Sequence, residues 1–274
     1  MSTTDTSLSR LLLDEADGPA FEIHNAEGQS PIVVVCEHAS NRVPLRLGNL
    51  GLSDKDLETH VAWDPGAASL ARKLSDAFDA PFVEARFSRL VYDCNRPPEA
   101  PSAMPADTEV CPIPGNANIS DAERAARAQE IYEPFHEAVS KTLQRQRSAG
   151  RTPILVTVHS FTPVFHGKTR DVEIGLLHGQ DNHLVAAMME TIKDASYDCR
   201  ATEPYGPKDG VLHSIEKHLA DGPMPYVMIE VRNDLLATDD GMSDIFALLS
   251  QSISHAVTSL GHHLSLANPD VSDA

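Results

Sequence analysis

The sequence has no long apolar run, few cysteines and a shortage of basic residues. Its 274 residues include 4 cysteines, and 22 lysines and arginines stand against 40 aspartates and glutamates. The net charge of −18 argues against a nucleic-acid backbone or an anionic membrane as a partner, because both repel an acidic surface. The cysteines are scattered and form no C-x-x-C pair, which indicates a reducing compartment. With no signal-peptide pattern at the N-terminus and no span-length apolar run, we expect a cytoplasmic protein.

The composition is that of an ordinary folded protein, with 41% hydrophobic and 23% charged residues. It shows no internal repeat and no low-complexity linker, so one domain is the simplest partition. We expect a flexible N-terminal arm over residues 1–30, a single domain over 31–264, and a disordered tail over 265–274. The acidic surface permits an oligomer such as a dimer without requiring one.

Apolar strand-like runs alternate with helical patterns along the chain. The run Ile32–Cys36 is β-branched and does not alternate, which is typical of a strand buried on both faces. Comparable runs occupy 152–158, 171–177 and 225–231, and a long helix is predicted from about 121 to 149. This alternation predicts an α/β fold, a three-layer sandwich with a mixed, mainly parallel sheet.

The segment between the first two core strands is less regular. Short strands are predicted at 81–85 and 90–94. The stretch 97–119 is rich in Pro, Ala and Asn and has no periodicity. A loop of that length inside a domain is usually functional or mobile, so it is either a lid over a site or a long surface connection.

Polar and ionisable residues follow three predicted strands at their carboxyl ends, where open α/β sheets build their binding sites. These residues are Glu37, His38 and Asn41, then His159 and Ser160, then Glu230 and Arg232. Two histidines with a carboxylate or amide from separate strand ends suit a zinc-type ion, and a further carboxylate can act as general base. Nearby arginines supply planar donors for the carboxylate of an anionic substrate.

The same residues also allow simpler roles. His38 can be a strand-end histidine bonded to a nearby carbonyl, and Arg89 can pair with Asp93. A serine nucleophile at Ser160 is disfavoured, because no G-x-S-x-G motif surrounds it. Since neither His38 nor His159 begins an H-E-x-x-H or an H-x-x-E motif, these spacings alone leave both the metal hydrolase and the structural reading open.

Four segments, in order, resemble the N-formylglutamate amidohydrolase family. They are Glu37-His-Ala-Ser-Asn-Arg-Val-Pro44, Ser88-Arg-Leu-Val-Tyr-Asp-Cys-Asn-Arg96, His159-Ser160 and Ile229-Glu-Val-Arg-Asn-Asp-Leu235. The likeness runs from about residue 30 to 260, and the order and spacing of the motifs make it specific. That family is similar to zinc carboxypeptidases and aspartoacylase-type deacylases, so the resemblance implies a zinc-carboxypeptidase-like (phosphorylase/hydrolase-like) fold.

The resemblance implies a divalent metal, expected to be zinc, with His38 and His159 as ligands. The third ligand departs from the carboxypeptidase pattern, because Asn41 stands where that pattern has Glu. The amidohydrolase family places an Asp at about the separation of Asp64 from the first histidine, so Asp64 is the expected substitute. Asn41 and Glu37 stay open as alternatives, although adjacent strand residues such as Glu37 and His38 point to opposite faces.

For catalysis the resemblance implies Glu230 as the base that takes a proton from the metal-activated water and later delivers it to the leaving amine. Asn95 and Arg96 match the residues that bind the substrate carboxylate, and Arg89 and Arg170 are further candidates. We therefore expect hydrolysis of the amide of a small anionic N-formyl or N-acyl amino acid, of the N-formylglutamate type. The alternatives are a peptidase or deacylase acting on another acylated acid, and a non-catalytic small-molecule binding protein that has lost the metal.

Overall fold

The computed structural model describes residues 12–206 and 209–262, and the predicted tail at 265–274 lies outside these described residues. The strands are β1 (Phe21–His24), β2 (Ile32–Cys36), β3 (Phe82–Ala85), β4 (Ile154–Phe161), β5 (Val164–Phe165), β6 (Lys168–Thr169), β7 (Ile174–Leu177), β8 (Cys199–Ala201) and β9 (Tyr226–Arg232). The helices are α1 (Asp54–Leu57), α2 (Ala67–Phe78), α3 (Asp121–Arg127), α4 (Glu133–Ser148), α5 (His183–Ile192), α6 (His213–Leu219) and α7 (Asp239–Ser259). Within the described ranges, no helix has the length and apolarity to cross a membrane.

Seven strands form one mixed sheet in the order β1-β3-β2-β4-β9-β7-β8, and β5 pairs with β6 in a separate hairpin. The centre is parallel, because β2 pairs in parallel with β3 and β4, and β4 pairs in parallel with β9. The flanks add two antiparallel pairings, β1 with β3 and β7 with β9. This confirms the predicted mixed, mainly parallel sheet, and it brings the carboxyl ends of β2, β4 and β9 to one edge.

Helices cover both faces of the sheet and give the predicted three layers. Helices α2, α5 and α7 pack on one face against alternate strand residues such as Val34, Val156 and Ile229. Helices α4 and α6 pack on the other face against the remaining set, such as Val35 and Leu155. Because both faces are covered, the whole of β2 and the whole of β4 are buried, as the unalternating apolar runs predict.

The predicted long helix at 121–149 forms as three joined pieces. Ser120 caps its start by accepting from the backbone N–H of Glu123, as expected for this residue type. A π-helical turn over Ala128–Tyr132 separates α3 from α4, so Pro134 follows directly after the change in winding. Pro134 lies in the first turn of α4, where a missing backbone N–H costs no helical hydrogen bond.

Two of the structural predictions made from the sequence are wrong: the flexible arm and the strand at 90–94. The flexible arm predicted over 1–30 includes β1, which pairs with β3 and packs Phe21 and Ile23 against the core; residues 1–11 of the arm lie outside the described residues. The alternation Phe-Glu-Ile-His is that of a half-buried edge strand, but it is only four residues long.

The strand predicted at 90–94 is a buried turn, in which Val91 and Tyr92 donate to the carbonyl of Ser88.

The long connection at 97–119 is packed as a wall of the molecule. Ala103, Met104 and Ile113 are buried in the core. The fully buried Arg127 donates to Asn116 Oδ1 at 2.7 Å and to the Val91 carbonyl at 3.2 Å. A buried guanidinium that satisfies several acceptors at once fixes the backbone around it, so this segment is held against the domain at its buried residues.

Candidate active site

Two histidines and an aspartate meet at the carboxyl edge of the sheet. His38 follows β2 and His159 lies near the end of β4, whose neighbour β2 runs parallel to it. Their Nδ1 atoms are 3.2 Å apart, and Asp64 Oδ2 lies 3.3 Å from His38 Nδ1 and 3.0 Å from His159 Nδ1. All three side chains are buried. The structure therefore places Asp64, rather than Asn41 or Glu37, beside the two histidines.

The turn before α2 brings Asp64 to this position. The Asp64 N–H donates to the His38 carbonyl, and the Ala67 N–H donates to the Asp64 carbonyl. Gly66 makes the turn possible, because it has φ of +84° and a Cβ there would lie 2.6 Å from Leu236 Cβ. Asp64 Oδ2 also accepts from the Ser160 N–H at 3.3 Å, so the carboxylate spans the ends of both strands.

The alternative third ligands lie elsewhere. Asn41 donates its side-chain amide to the Leu57 carbonyl at 3.0 Å, so its role is to fasten the loop after β2. Glu37 lies on the far side of His159, with Oε2 3.1 Å from His159 Nε2. It therefore contacts the imidazole nitrogen that faces away from Asp64 and His38.

The geometry of the three donor atoms fits a tetrahedral metal ion. Ligands about 2.1 Å from a tetrahedral zinc lie about 3.4 Å from one another, and the observed sides of 3.0, 3.2 and 3.3 Å are close to that triangle. Two imidazoles and a carboxylate are also the donor set that zinc accepts in catalytic sites. His38, Asp64 and His159 are the group of described residues whose ligand atoms can hold a metal ion together.

The charges around the triangle favour a cation. Glu37, Asp64, Asp93 and Glu230 are four carboxyl groups, each at most 5% exposed. Arg89 balances part of this charge, with Nη2 2.7 Å from Asp93 and Nη1 3.5 Å from Asp64. Buried carboxylates are costly without compensating positive charge, so the arrangement is suited to a divalent ion.

The pKa values of the buried acids follow from these neighbours. Burial acts to raise the pKa of Asp64, but the charge and hydrogen bonds of His38 and His159 outweigh it and hold the pKa well below its usual range. Glu230 behaves in the opposite way, because burial together with the charge of Asp64 raises its pKa to about 7. Asp64 is thus held as an anion, whereas Glu230 can exchange a proton near neutral pH.

Glu230 shares one cavity with the histidines. It lies on β9 directly opposite His159 on β4, since the two residues are register partners. Both line a cavity of about 400 Å³ together with His38, Arg96 and Tyr205. One wall of this cavity comes from the 97–119 segment, where Glu109 pairs with His60 at 2.7 Å. The cavity is large enough for a small ligand beside the carboxyl edge of the sheet.

The four residues predicted to bind the substrate differ in how they are placed relative to the cavity. Arg89 and Asn95 line the cavity, and each also has partners within the protein. Arg89 is paired with Asp93 and Asp64, which is the simpler role that the sequence left open. The Asn95 amide donates to the Val211 carbonyl and accepts from the Ser214 N–H.

Arg96 lines the cavity, and Arg170 lies behind three of its aromatic lining residues. Arg96 Nη1 donates to the carbonyls of Asn95 and Gly210 at 2.8 and 3.0 Å. The guanidinium of Arg170 lies over the rings of Phe161, Phe165 and Tyr205, with centroid distances of 4.5 to 5.3 Å. Its Nη1 is buried and makes no hydrogen bond within the described part of the chain.

Two features of the site were not predicted from the sequence: the contact of Asp93 with His38, and the position of Tyr205. Asp93 Oδ1 lies 2.7 Å from His38 Nε2 and so holds the ring nitrogen opposite the metal triangle. Its position in Asp93-Cys-Asn-Arg96, beside the predicted carboxylate binders, was an available signal. Tyr205 lines the cavity, but it comes from an irregular connection after β8, and no local pattern marks it.

The fold and the site define an α/β enzyme with its polar groups gathered at the carboxyl edge of a mixed sheet. The chain belongs to the N-formylglutamate amidohydrolase family, whose sequence profile matches residues 30–237. It is accordingly a hydrolase that acts on linear amide C–N bonds of small substrates.

The solved structures that are similar to this chain include the following two. The crystal structure of gene product Atu2144 from Agrobacterium tumefaciens is 48% identical with a TM-score of 0.89, covering 92% of this chain and 100% of that one. N-formylglutamate amidohydrolase from Ralstonia eutropha JMP134 is 17% identical with a TM-score of 0.66, covering 88% of this chain and 98% of that one; at this identity the likeness supports the fold. No curated protein matches the chain.

Proposed function

We propose that this protein is a metal-dependent amidohydrolase that cleaves the amide of an N-formyl or N-acyl amino acid, of the N-formylglutamate type. The observation that carries the proposal is the buried triangle of His38 Nδ1, His159 Nδ1 and Asp64 Oδ2, with Glu230 in the same cavity. Hydrolysis of an unactivated amide needs a metal ion that activates water and a general base that accepts its proton, and these residues can provide both. Family membership favours this function over that of a non-catalytic binding protein.

His38, Asp64 and His159 would hold the metal, most simply zinc. When bound, such an ion acts as a Lewis acid toward the amide carbonyl and lowers the pKa of water. Asp93 at Nε2 of His38 supports this assignment, because a ligating histidine usually donates its other ring N–H to a carboxylate. Arg89 then serves the site indirectly, by neutralising Asp93 and one oxygen of Asp64.

Glu230 would carry the proton. In its ionised form it takes a proton from the attacking water at a carboxylate oxygen as the new C–O bond forms. It then gives that proton to the amide nitrogen as the C–N bond breaks, which releases a carboxylic acid and a free amine. A pKa raised to about 7 by burial and by Asp64 suits both halves of this cycle, since a general base works best when its pKa is near the working pH.

Two arginines would recognise the acid groups of the substrate. Arg96 lines the cavity and fits the main carboxylate, because its guanidinium is held in place by two backbone carbonyls. Arg170 fits a second carboxylate near Tyr205, since its buried Nη1 still needs an acceptor. Two such positions favour an amino diacid of the glutamate type. A peptidase or deacylase acting on another acylated acid is the competing function.

The environment proposed for this enzyme is the cytoplasm. All four cysteines, namely Cys36, Cys94, Cys111 and Cys199, are free thiols. The absence of disulfides among these four cysteines fits a compartment that keeps thiols reduced.

Replacing Arg96 with methionine should raise KM for N-formyl-L-glutamate by about ten- to a hundred-fold, which corresponds to the loss of one charge-assisted contact. The effect on kcat should be small, because the carboxylate is bound equally in the ground state and the transition state. The measurement is steady-state release of formate by the wild-type protein and by Arg96→Met.

Arg145→Met is the matched control, since Arg145 lies near the end of α4 and pairs with Glu27. This variant should leave both kcat and KM unchanged. An unchanged KM in Arg96→Met would show that another group binds the carboxylate. If the wild-type protein releases no formate but hydrolyses other N-acyl acids, the competing function is correct.

A further inference from the structure

Glu37 is a buried carboxylate outside the metal triangle. It follows β2 directly and is completely inaccessible to solvent. Its close charged neighbour is His159, with Oε2 3.1 Å from Nε2. Neither carboxylate oxygen has a well-aligned hydrogen bond within the described part of the chain, and the same is true of His159 Nε2. A buried carboxylate is costly unless it is compensated, and the nearest compensating group is His159, with further contributions from the charge of His38 and the hydroxyl of Ser214.

The ring of His159 lies between Glu37 and the triangle. Its Nδ1 faces Asp64 Oδ2 at 3.0 Å, and its Nε2 faces Glu37. A neutral imidazole carries its proton on one nitrogen and offers a lone pair on the other. A carboxylate at Nε2 favours the proton on that side, so the lone pair of Nδ1 points to the triangle. His38 also has a carboxylate at its Nε2, where Asp93 Oδ1 forms a hydrogen bond of 2.7 Å.

We propose that Glu37 is a positioning residue for His159: by accepting the Nε2 proton it fixes the tautomer and the ring orientation that present Nδ1 to the metal. The proposal rests on the proposed function, because it assigns a purpose to Glu37 only where His159 binds a metal. Outer carboxylates of this kind typically change metal affinity about 10- to 100-fold when they are removed.

A comparison within the same sheet separates this role from ordinary packing. Glu84 on β3 is also largely buried, and it is the register partner of Cys36, next to Glu37 in the chain. It pairs with Arg72 at 2.8 Å, so it is compensated by a permanent cation on α2. The corresponding partner of Glu37 is His159. Among the described residues, no arginine or lysine lies within ion-pair distance of Glu37.

The test is the affinity of the full-length protein for Zn²⁺, measured by competition with a chromophoric chelator after the resident metal is removed. Glu37→Gln should bind Zn²⁺ at least about tenfold more weakly than the wild type. Glu84→Gln should bind it within about twofold, because Glu84 does not contact a ligand. The unfolding temperature of each metal-free variant shows whether any loss of affinity follows from a general loss of structure.

A second measurement needs no variant. Nitrogen-15 NMR of the imidazoles in the zinc-loaded wild type should show His159 with its proton on Nε2. Equal zinc affinity in Glu37→Gln and the wild type would overturn the role of Glu37 while leaving the metal site intact. A proton on Nδ1 would show that His159 does not present this nitrogen to the metal, and would overturn the ligand assignment together with the role of Glu37. If the wild-type protein itself binds no Zn²⁺, the metal proposal and the role of Glu37 both fail.

Discussion

Replacing Glu230 with glutamine is expected to lower kcat by about 10²- to 10⁴-fold, the usual contribution of a positioned general base. The substitution keeps the size of the side chain but removes its ability to accept a proton from water. Because Glu230 is not part of the triangle of His38, Asp64 and His159, Zn²⁺ content and substrate affinity should stay close to wild type. The measurement is kcat for N-formyl-L-glutamate together with metal content of the same preparation.

Glu84→Gln is a suitable control here as well, since it removes a buried carboxylate from the same sheet outside the cavity. It should retain wild-type turnover. Activity that survives in Glu230→Gln would show that another group is the base. A simultaneous loss of zinc and activity would show instead that Glu230 belongs to the metal site.

Replacing Asp64 with alanine is expected to abolish stoichiometric metal binding and, with it, activity. Asp64 Oδ2 completes the triangle with both histidines, so its loss leaves two imidazoles, which form an incomplete site for zinc. We expect zinc affinity to fall by more than the roughly 100-fold upper range seen for outer carboxylates. The measurement is Zn²⁺ binding to the metal-free protein by competition titration.

Asn41→Ala is the discriminating control, because Asn41 stands at the ligand position of the carboxypeptidase pattern. In this structure its amide is bonded to the Leu57 carbonyl, so its removal should leave zinc binding within a few-fold of wild type. The reverse result, with Asn41 essential and Asp64 dispensable, would mean that the metal-bound protein uses a different ligand set.

The core of the fold could be predicted because its strands are buried on both faces. The run Ile32–Cys36 is apolar without alternation and forms β2 with the same bounds. The edge strand β1 could not be predicted with similar ease, because four half-buried residues in a polar segment give a weak signal. The run at 90–94 is apolar apart from Asp93 but folds as a buried turn, since burial alone does not distinguish a strand from a packed loop.

The site was predictable where it depends on strand ends, and less so where it depends on loops. His38, His159 and Glu230 meet because parallel strands end at one edge. The position of Asp64 depends on a turn around Gly66, and only the family resemblance suggested it. The pairing of Arg89 with Asp93 was one of two readings that the sequence allowed.

The contribution of Glu37 shows a further limit of sequence reasoning. The alternation of strand side chains correctly separates Glu37 from His38. It does not show that the ring of His159 lies between Glu37 and Asp64, because that depends on the pairing of β2 with β4 and on the rotamers of both residues. Long-range contacts of this kind become visible only in three dimensions.

The metal dependence of amide hydrolysis is tested most directly by the metal content of protein purified without chelator, paired with hydrolysis of N-formyl-L-glutamate before and after chelation. We predict near-stoichiometric zinc bound by His38, Asp64 and His159, with activity that is lost on chelation and restored by adding metal. Full hydrolysis by protein shown to be free of metal would contradict the mechanism. Absence of both metal and hydrolysis, even after divalent ions are added back, would contradict the proposed function as a whole.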